Sequence, residues 1–439
     1  MYELPLKDWF LYLYLMASPF YMFAVVSNKD WPALWIIAAM GVLMLMEVLR
    51  NGGRFWFDRS FLYLWLFVAV YVASTFVVVF ADSPMSLLGR DPVERAFTTL
   101  SRLLYVVCAY MVFVSFLADG TQKTFERLFA VQMTVGVLIA LFGIVQYIST
   151  VFLGSNALTQ IESTNESYHM YSSYSGHGSQ RFYRAAAFFS EPSAFGFFLV
   201  PFFVKAVVAR AQGILLGGKI THSLVILTFI VAILFNLSMT AIVSAVILVA
   251  LFGVYSLRGS RHLWKFIALF VLVVAAVVVT PAGSLAVERL DRVFGLRDIS
   301  TLDRLFRVFV GLQVFISNPI IGVGPGGFAF RYPMFGQLVF GGLASPLNVW
   351  ITFLTDAGIL GLIPFVLFLV NVLRRSARAI WRHPLVKVYL WGVFSLLILL
   401  TTLDAWYWET LWFELAVLIG LTSSHFLESD SGVRAPEMA

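Results

Sequence analysis

The sequence predicts an all-α polytopic membrane protein, with about 12 transmembrane helices and a large outer loop that carries amphipathic helices. Composition is the first observation: of 439 residues, 60% are hydrophobic and 12% are charged, and the mean hydropathy is +0.87. A soluble domain of this length does not have such a composition. The second observation is that the apolar residues form runs long enough, or nearly so, to cross ~30 Å of hydrocarbon.

Each apolar run is interpreted as one membrane span. The first lacks the basic start and small-residue cleavage site of a signal peptide, so we expect it to be retained. The long stretch 222–257 is divided at Asn236-Leu-Ser-Met-Thr240. We expect a single transmembrane domain, 1–426, and a disordered cytoplasmic tail, 427–439. The predicted spans are 9–26, 32–49, 61–80, 99–117, 128–153, 185–208, 222–240, 241–257, 265–282, 347–373, 385–403 and 407–425.

Lysine and arginine orient these spans. With both termini inside, 18 of the 30 basic residues lie in inner segments, in line with the positive-inside rule. The outer remainder is one lysine and eleven arginines. A guanidinium binds phosphate through two parallel hydrogen bonds, so this excess of arginine predicts an outer site for phosphate or pyrophosphate. The alternative is that each arginine pairs with a nearby Asp or Glu. The outer set is Lys29, Arg90, Arg95, Arg102, Arg181, Arg184, Arg289, Arg292, Arg297, Arg304, Arg307 and Arg331.

Two outer segments are much longer than the other connections. Segment 154–184 is rich in Ser, Tyr, Asn and Gly and contains His169 and His177. Segment 283–346 carries acidic and basic residues, several glycines and amphipathic stretches. The predicted topology puts both on the same face. Because long structured loops usually carry function, we expect the substrate site there.

Within the second segment, the spacing predicts an amphipathic helix that lies on the membrane surface. Arg304 and Arg307 are one turn apart and therefore share a face. Thr301 or Asp303 is a candidate N-cap, and Pro319 ends the helix. The alternative is an interfacial helix whose arginines only snorkel to water. Apolar residues recur near helical spacing at Leu305, Phe306, Phe309, Leu312 and Phe315.

A glycine-rich stretch follows, Gly322-Val-Gly-Pro-Gly-Gly-Phe328. Glycines at positions such as Gly322 and Gly324 let backbone approach a ligand closely, and successive N–H groups can form an anion-binding nest. A plain tight turn is the alternative interpretation. The stretch has no Walker-type lysine, so it does not predict nucleotide binding.

The stretch Arg184-Ala-Ala-Ala-Phe-Phe-Ser-Glu191-Pro-Ser193 enters a predicted span from the outer side. Arg184 and Glu191 are two helical turns apart, so a helix would place both on one face. A carboxylate inside an apolar span is costly unless it is paired or functional. Glu191 is therefore a candidate general base, and Pro192 is expected to kink the helix. A structural ion pair between Glu191 and an arginine is the alternative.

A second acidic residue lies in the span 347–373. Asn348, Thr352, Thr355 and Asp356 fall on one helical face, and later glycines permit close helix packing. For Asp356 a structural role is favoured slightly over a catalytic one. Near the outer end of another span, Asn236 and its polar neighbours are interpreted as groups that satisfy the backbone.

No metal site or cofactor is predicted. The single cysteine, Cys108, falls inside a span, and no His/Cys cluster has metal-ligand spacing. The net charge of +6 mainly reflects cytoplasmic loops beside anionic lipid. Nucleic-acid binding has no support in this pattern.

Several motifs together resemble the O-antigen polymerase and O-antigen ligase superfamily. They are Arg304 with Pro319 fifteen residues later, Gly322-Val-Gly324, and Asn348 followed at the spacing of that family by Asp356 and Gly358. The stretch from Arg184 to Ser193 and the turn Leu237-Ser-Met-Thr240 are similar to further blocks. The resemblance covers about 180–362 by motif.

The resemblance implies a metal-independent glycosyltransferase. Its donor would be a glycan on a polyprenyl pyrophosphate such as undecaprenyl pyrophosphate, and an acceptor hydroxyl would attack the anomeric carbon. Arginine would stabilise the leaving pyrophosphate. One departure matters: ligases of this superfamily typically carry His immediately before the Asn of the late motif, whereas this chain has Leu347. That favours a polymerase, which joins repeat units on two carrier lipids.

We therefore predict a bacterial inner-membrane polysaccharide polymerase that acts on the periplasmic side. The expected partners are the lipid-linked oligosaccharide, the bilayer and a chain-length regulator. The rivals are an O-antigen ligase, a lipid-linked glycan flippase, which would need charged groups deep in several spans, and a peptidoglycan-type glycosyltransferase. The predicted catalytic residues are Glu191, Asp356, Arg304 and Arg184. The predicted pyrophosphate- or glycan-binding residues are Arg307, Arg181, Gly322, Gly324, Asn348, His169 and His177.

Overall fold

The computed structural model describes residues 6–20, 32–50, 60–80, 91–154, 174–175, 182–256, 268, 299–335 and 345–423. These residues form thirteen α-helices, one 3-10 helix and one pair of two-residue strands. The strands are β1 (Tyr174–Ser175) and β2 (Phe182–Tyr183), which pair antiparallel. The predicted all-α membrane fold is therefore confirmed.

The helices follow the apolar runs of the sequence. They are α1 (Leu6–Ala17), α2 (Pro32–Arg50), α3 (Ser60–Phe80), α4 (Pro92–Leu117), α5 (Gln122–Val151), α6 (Pro192–Ala211), α7 (Lys219–Asn236), α8 (Met239–Ser256), α9 (Ile299–Ser317), α10 (Phe328–Arg331), α11 (Val349–Ala379), α12 (Pro384–Leu399) and α13 (Glu409–Leu421). The 3-10 helix spans Tyr332–Phe335.

Eight of the described helices are long and apolar enough to cross a membrane: α2 to α8 and α11. Eleven of the twelve predicted runs contain a helix, and the run 265–282, apart from residue 268, lies outside the described residues. The division of 222–257 is confirmed, because α7 ends at Asn236, Leu237 adopts a left-handed conformation, and α8 begins at Met239. The tail 427–439 also lies outside the described residues.

Helix α6 lies at the centre of the bundle. Of its most apolar 18 residues, 94% are buried, whereas the corresponding share in α2 is 17%. A helix that is apolar on all sides can be buried in this way, whereas a peripheral helix leaves most of its side chains to lipid. Around α6 pack α7, α8 and α12, while α3 packs on α11 and α4 on α13.

The membrane spans contain buried charged residues, whereas the sequence predicts spans that are mostly free of charge, with the charge concentrated at one face. In α6, Lys205 Nζ lies 2.5 Å from Glu414 Oε1 of α13, and both side chains are almost fully buried. Gln132 of α5 donates to the same carboxylate at 2.7 Å. Glu409 is also buried and accepts a hydrogen bond from Tyr105. The sequence gives no indication of this ion pair, because Lys205 lies near the inner end of the predicted span 185–208.

Helix α11 is broken at Gly358, whose φ of 64° and ψ of −164° are not helical. The segment 319–324 lies against the break. Val323 N donates to Thr355 O at 2.7 Å, Gly324 N donates to Asp356 O at 3.1 Å, and Ile359 N donates to Pro319 O at 2.9 Å. A Cβ at Gly358 would lie 2.2 Å from Ile320 O. The glycines therefore let two irregular backbones satisfy each other's hydrogen bonds inside the bundle.

Candidate active site

A cavity of about 610 Å³ opens at the end of the bundle where α4, α6 and α11 begin. The loop between α12 and α13 and the cavity-facing side of α9 complete its wall. Four arginines and four carboxylates line it, so its formal charges balance. The charged lining residues are Arg95, Arg102, Arg304, Arg307, Glu191, Asp303, Asp356 and Asp404.

Two of the arginines come from the first turns of α4. Asp91 caps this helix by accepting a hydrogen bond from Val93 N. Arg95, Thr99 and Arg102 follow at helical spacing, and all three line the cavity. The Arg102 guanidinium lies 5.1 Å from the centre of the Tyr407 ring, a cation–π contact.

The other two arginines come from α9, as predicted, and lie one turn apart. Arg304 Nη1 donates to Thr402 O at 2.6 Å, which joins α9 to the α12–α13 loop. Arg307 Nε lies 2.8 Å from Asp303 Oδ2, so this arginine is paired within its own helix. The capping prediction for Thr301 and Asp303 is wrong, because the helix already begins at Ile299.

Helix α9 presents two apolar sides. Val310 and Val314 pack with Val323, Phe328 and Tyr332 in a small core. A second stripe is exposed and recurs at helical spacing: Leu302, Leu305, Phe309, Leu312 and Ile316. The helix therefore keeps its arginines at the cavity while a row of apolar side chains remains available to lipid.

Glu191 lines the cavity, but not from within a helix. The prediction that residues 184–191 continue the span is wrong, because α6 begins only at Pro192 and Glu191 is its extended N-cap residue. Pro192 occupies the first turn, where proline is favoured, and so makes no kink there. The Ser193 hydroxyl donates a hydrogen bond to Glu191 Oε1. Arg184 lies outside the cavity lining, so the structure does not bring it together with Glu191 there.

Asp356 lines the cavity and also holds the broken helix. Its Oδ2 accepts a hydrogen bond from the Tyr71 hydroxyl at 2.6 Å, and its Oδ1 accepts one from Gly326 N at 3.1 Å. The carboxylate thus ties α3 and the glycine-rich stretch to α11. These contacts favour the structural role of Asp356 over a catalytic one.

Asp404, in the α12–α13 loop, was not predicted as a site residue. Its Oδ1 accepts a hydrogen bond from Thr352 Oγ1 at 3.2 Å. Burial raises the pKa of Asp404 to about 6, although hydrogen bonds from Thr352 and Ser345 and the charges of Arg95 and Arg102 oppose that rise. The loop itself is anchored to α11, because Val349 N donates to Leu400 O at 3.0 Å.

Three aromatic residues begin two positions after Asp404. Trp406, Tyr407 and Trp408 all line the cavity, and Phe328 faces them from α10. Aromatic rings beside carboxylates and guanidinium groups offer apolar faces together with hydrogen-bonding groups. Such a wall suits a sugar, which presents both C–H faces and hydroxyls.

The remaining predicted site residues have other positions. Asn348 caps α11 by accepting from Ile351 N at 3.1 Å and donates to Thr401 O at 2.8 Å. Gly322 and Gly324 contact the break in α11 and do not line the cavity, whereas Gly326 does. Their roles in substrate binding stay predictions. Arg181, His169 and His177 lie outside the described residues.

The sequence indicates Arg95 and Arg102 only as members of the outer arginine set, and it does not single out Asp404 as a site residue. The spacing of Arg95, Thr99 and Arg102 was a usable signal, because three polar residues on one face at the outer start of a span are unusual in lipid. The sequence around Asp404 indicates a site residue only weakly, because Asp404 lies between two predicted spans, where an acidic loop residue is common. Among the described residues, no three His, Cys, Asp or Glu side chains are grouped to hold a metal ion.

Residues 224–366 match a protein-family model described as O-Antigen ligase. The match supports the resemblance of the chain to the O-antigen polymerase and ligase superfamily. Its members are glycosyltransferase-like enzymes, and the chain is a multi-pass membrane protein. The match spans α9, the glycine-rich stretch and the broken part of α11, whereas Arg95, Glu191 and Asp404 lie outside it. No curated protein sequence matches the chain significantly.

The pKa of Asp404 predicts a pH dependence for the glycosyl-transfer activity that the family match suggests. Its pKa of about 6 means that the carboxylate is charged above that pH and becomes neutral below it. A neutral Asp404 no longer balances Arg95 and Arg102, so kcat should fall by up to about tenfold per pH unit below pH 6. The measurement is kcat of the purified protein from about pH 4.5 to about pH 8, a range that extends on both sides of the Asp404 pKa.

The matched variants are Asp404→Asn and Glu126→Gln, the second at an exposed site that binds Gln122. Asp404→Asn should have a low kcat at all pH values, without the decrease below pH 6. Glu126→Gln should retain that decrease. An unchanged decrease of kcat below pH 6 in Asp404→Asn would show that another group controls the pH dependence.

Proposed function

We propose that the protein is a polysaccharide polymerase of the bacterial inner membrane. It transfers a growing glycan from a polyprenyl pyrophosphate to a hydroxyl of another lipid-linked repeat unit. The product is O-antigen, capsule or exopolysaccharide. The observation that carries the proposal is that a single cavity at one end of the bundle joins four arginines, Glu191 and an aromatic wall.

The arginines serve the leaving group in this proposal. When the bond between the anomeric carbon and the phosphate oxygen breaks, negative charge grows on the lipid pyrophosphate. Arg304 and Arg307 meet that charge with planar guanidinium groups, which bind phosphate oxygens in pairs. Arg95 and Arg102 add positive charge from α4 on another wall of the same cavity. No metal is required for this stabilisation.

Glu191 is the general base of the proposal. It takes the proton of the acceptor hydroxyl while that oxygen forms its bond to the anomeric carbon, and the electron pair of the broken bond leaves with the pyrophosphate. Glu191 lines the cavity and accepts a hydrogen bond from the Ser193 hydroxyl. Asp356 is less suited to this role, because both of its oxygens already accept hydrogen bonds.

The two ends of the bundle support the periplasmic placement. The cavity end carries four arginines. At the opposite end, the last turns of α11, the connection to α12 and the first turn of α12 carry Arg374, Arg375, Arg378, Arg382 and Lys387. This second cluster suits the cytoplasmic surface under the positive-inside rule. The cavity then faces the periplasm. The proposed partners are the lipid-linked oligosaccharide, the bilayer and a chain-length regulator.

Polymerase is favoured over ligase by Leu347. This residue lines the cavity directly before the Asn348 cap, and its φ is +52°, a left-handed conformation that costs a non-glycine residue about 1–3 kcal/mol. Ligases of the superfamily typically have His at this position. A leucine here offers neither a proton acceptor nor a hydrogen-bond donor to the substrate.

The buried charged residues disfavour a flippase, because they pair with each other and a substrate cannot reach them. Lys205 and Glu414 pair with each other and are sealed inside the bundle, with Gly392 packed against the Lys205 side chain. A transport path needs polar groups that a passing glycan can reach. The pair instead joins α6 to α13 as a structural contact.

A gel profile of cell-surface glycan tests the function in a strain deleted for this chain. A polymerase predicts that the deletion leaves one repeat on the lipid A core, or short carrier-linked units alone. The same strain complemented with the wild-type chain is the control and should regain long glycan. Full-length polymer stranded on the carrier lipid would instead establish the ligase.

Arg304→Lys tests the use of a guanidinium rather than any positive charge. The variant keeps the charge but loses the paired hydrogen bonds, so kcat should fall by at least about tenfold. Arg331→Lys is the matched control, because Arg331 is an outer arginine outside the cavity lining, and its kcat should not change. Full turnover by Arg304→Lys would contradict the bidentate role.

A further inference from the structure

We propose that Gln146 and Asn236 are positioning residues, which fix an irregular backbone segment and thereby hold Glu191 in the cavity. The inference rests on the proposed function, in which Glu191 is the general base. The segment, 185–192, is called the mount. Neither Gln146 nor Asn236 lines the cavity, so both would act through Glu191.

The mount poses a physical problem that helices avoid. Between β2 and α6 the backbone is irregular, and Ala187 has a left-handed φ of +48°. Ala185, Ala186 and Ala187 are nearly fully buried. Buried backbone N–H and C=O groups need partners, and in a membrane bundle the partners must come from the protein.

Gln146 of α5 provides the first set of partners. Its Oε1 accepts hydrogen bonds from Ala186 N at 3.1 Å and from Ala187 N at 3.0 Å. The side chain is 1% exposed, so water does not compete for these bonds. One amide oxygen therefore holds two successive N–H groups at the most strained point of the mount.

Asn236, the last residue of α7, provides the second set. Its Nδ2 donates to Ala185 O at 2.8 Å and to Pro192 O at 2.7 Å. One amide group thus joins the start of the mount to the first turn of α6, on either side of Glu191. In addition, Ala185 N donates to Phe235 O at 3.1 Å. The sequence interpretation of Asn236 as a backbone partner is confirmed.

Close packing leaves the mount little freedom to shift. A Cβ at Gly196 would lie 2.6 Å from Ala241 Cβ and 3.2 Å from Asn236 Oδ1. Phe188 stacks on Phe142 with ring centres 4.1 Å apart. This packing and the hydrogen bonds of the two amides together hold the backbone in the conformation that places Glu191 at the cavity.

A double-mutant cycle on the purified full-length protein tests this role, with lipid-linked repeat units as substrate. Asn236→Leu keeps similar volume but loses both donors. It should lower kcat by about tenfold to a hundredfold, since a displacement of about 1 Å can cost that much, and leave KM for the donor within about twofold. In the Glu191→Gln background, the same change should lower the residual kcat by less than about twofold.

Gln146→Met gives a second, independent variant if Asn236→Leu does not fold, and the same pattern is expected. Gln132→Met is the matched control, because it removes an equally buried amide of α5 that binds Glu414 instead. Its kcat should equal the wild-type value, whatever its thermal stability.

Three outcomes are decisive. Losses that multiply in the double variant, or a rise in KM with unchanged kcat, would overturn the positioning role while leaving Glu191 as the base. Full turnover by Glu191→Gln would overturn the base assignment and the positioning role together. A kcat loss that vanishes in the Glu191→Gln background would support both.

Discussion

The end of the bundle that holds the cavity depends on one constraint, which is that irregular backbone at membrane depth must find its hydrogen bonds within the protein. Two irregular segments meet this constraint differently. The segment 319–324 pairs with the broken α11 backbone to backbone, which glycines such as Gly358 permit. The segment 185–192 pairs mainly with two side-chain amides. Both irregular segments bring backbone and side chains close to the cavity in positions that a continuous helix could not provide.

Charge balance is the second feature of the cavity. Four guanidinium groups in a partly buried space would repel one another, but four carboxylates accompany them. Asp303 pairs with Arg307, and Asp404 lies in the field of Arg95 and Arg102. The arginines are thereby kept in place before an anion arrives. In the proposed reaction, an incoming pyrophosphate would meet groups that are already oriented, which is the arrangement that favours transition-state stabilisation.

The spans, the helix of Arg304 and Arg307, and the division between α7 and α8 could be predicted, because each has a periodic or compositional signal along the chain. The start of α6 could not be predicted from apolar residues, since Ala185 to Phe189 have the composition of a helix and the bonds that Gln146 and Asn236 make to this segment are long-range. Pro192 was the neglected signal, because the residue before proline disfavours the α conformation. The pairing of the glycine-rich stretch with α11, and the place of Asp404 beside Thr352, arise from long-range contacts that leave no local pattern.

The central claim is that one cavity joins two lipid-linked repeat units. The direct measurement is to incubate the purified protein, in lipid nanodiscs, with a single polyprenyl-pyrophosphate-linked repeat unit as the sole substrate. The account predicts carrier-linked glycans of two or more repeats, with one polyprenyl pyrophosphate released for each new linkage. Transfer that occurs only when lipid A core is supplied as acceptor would contradict it.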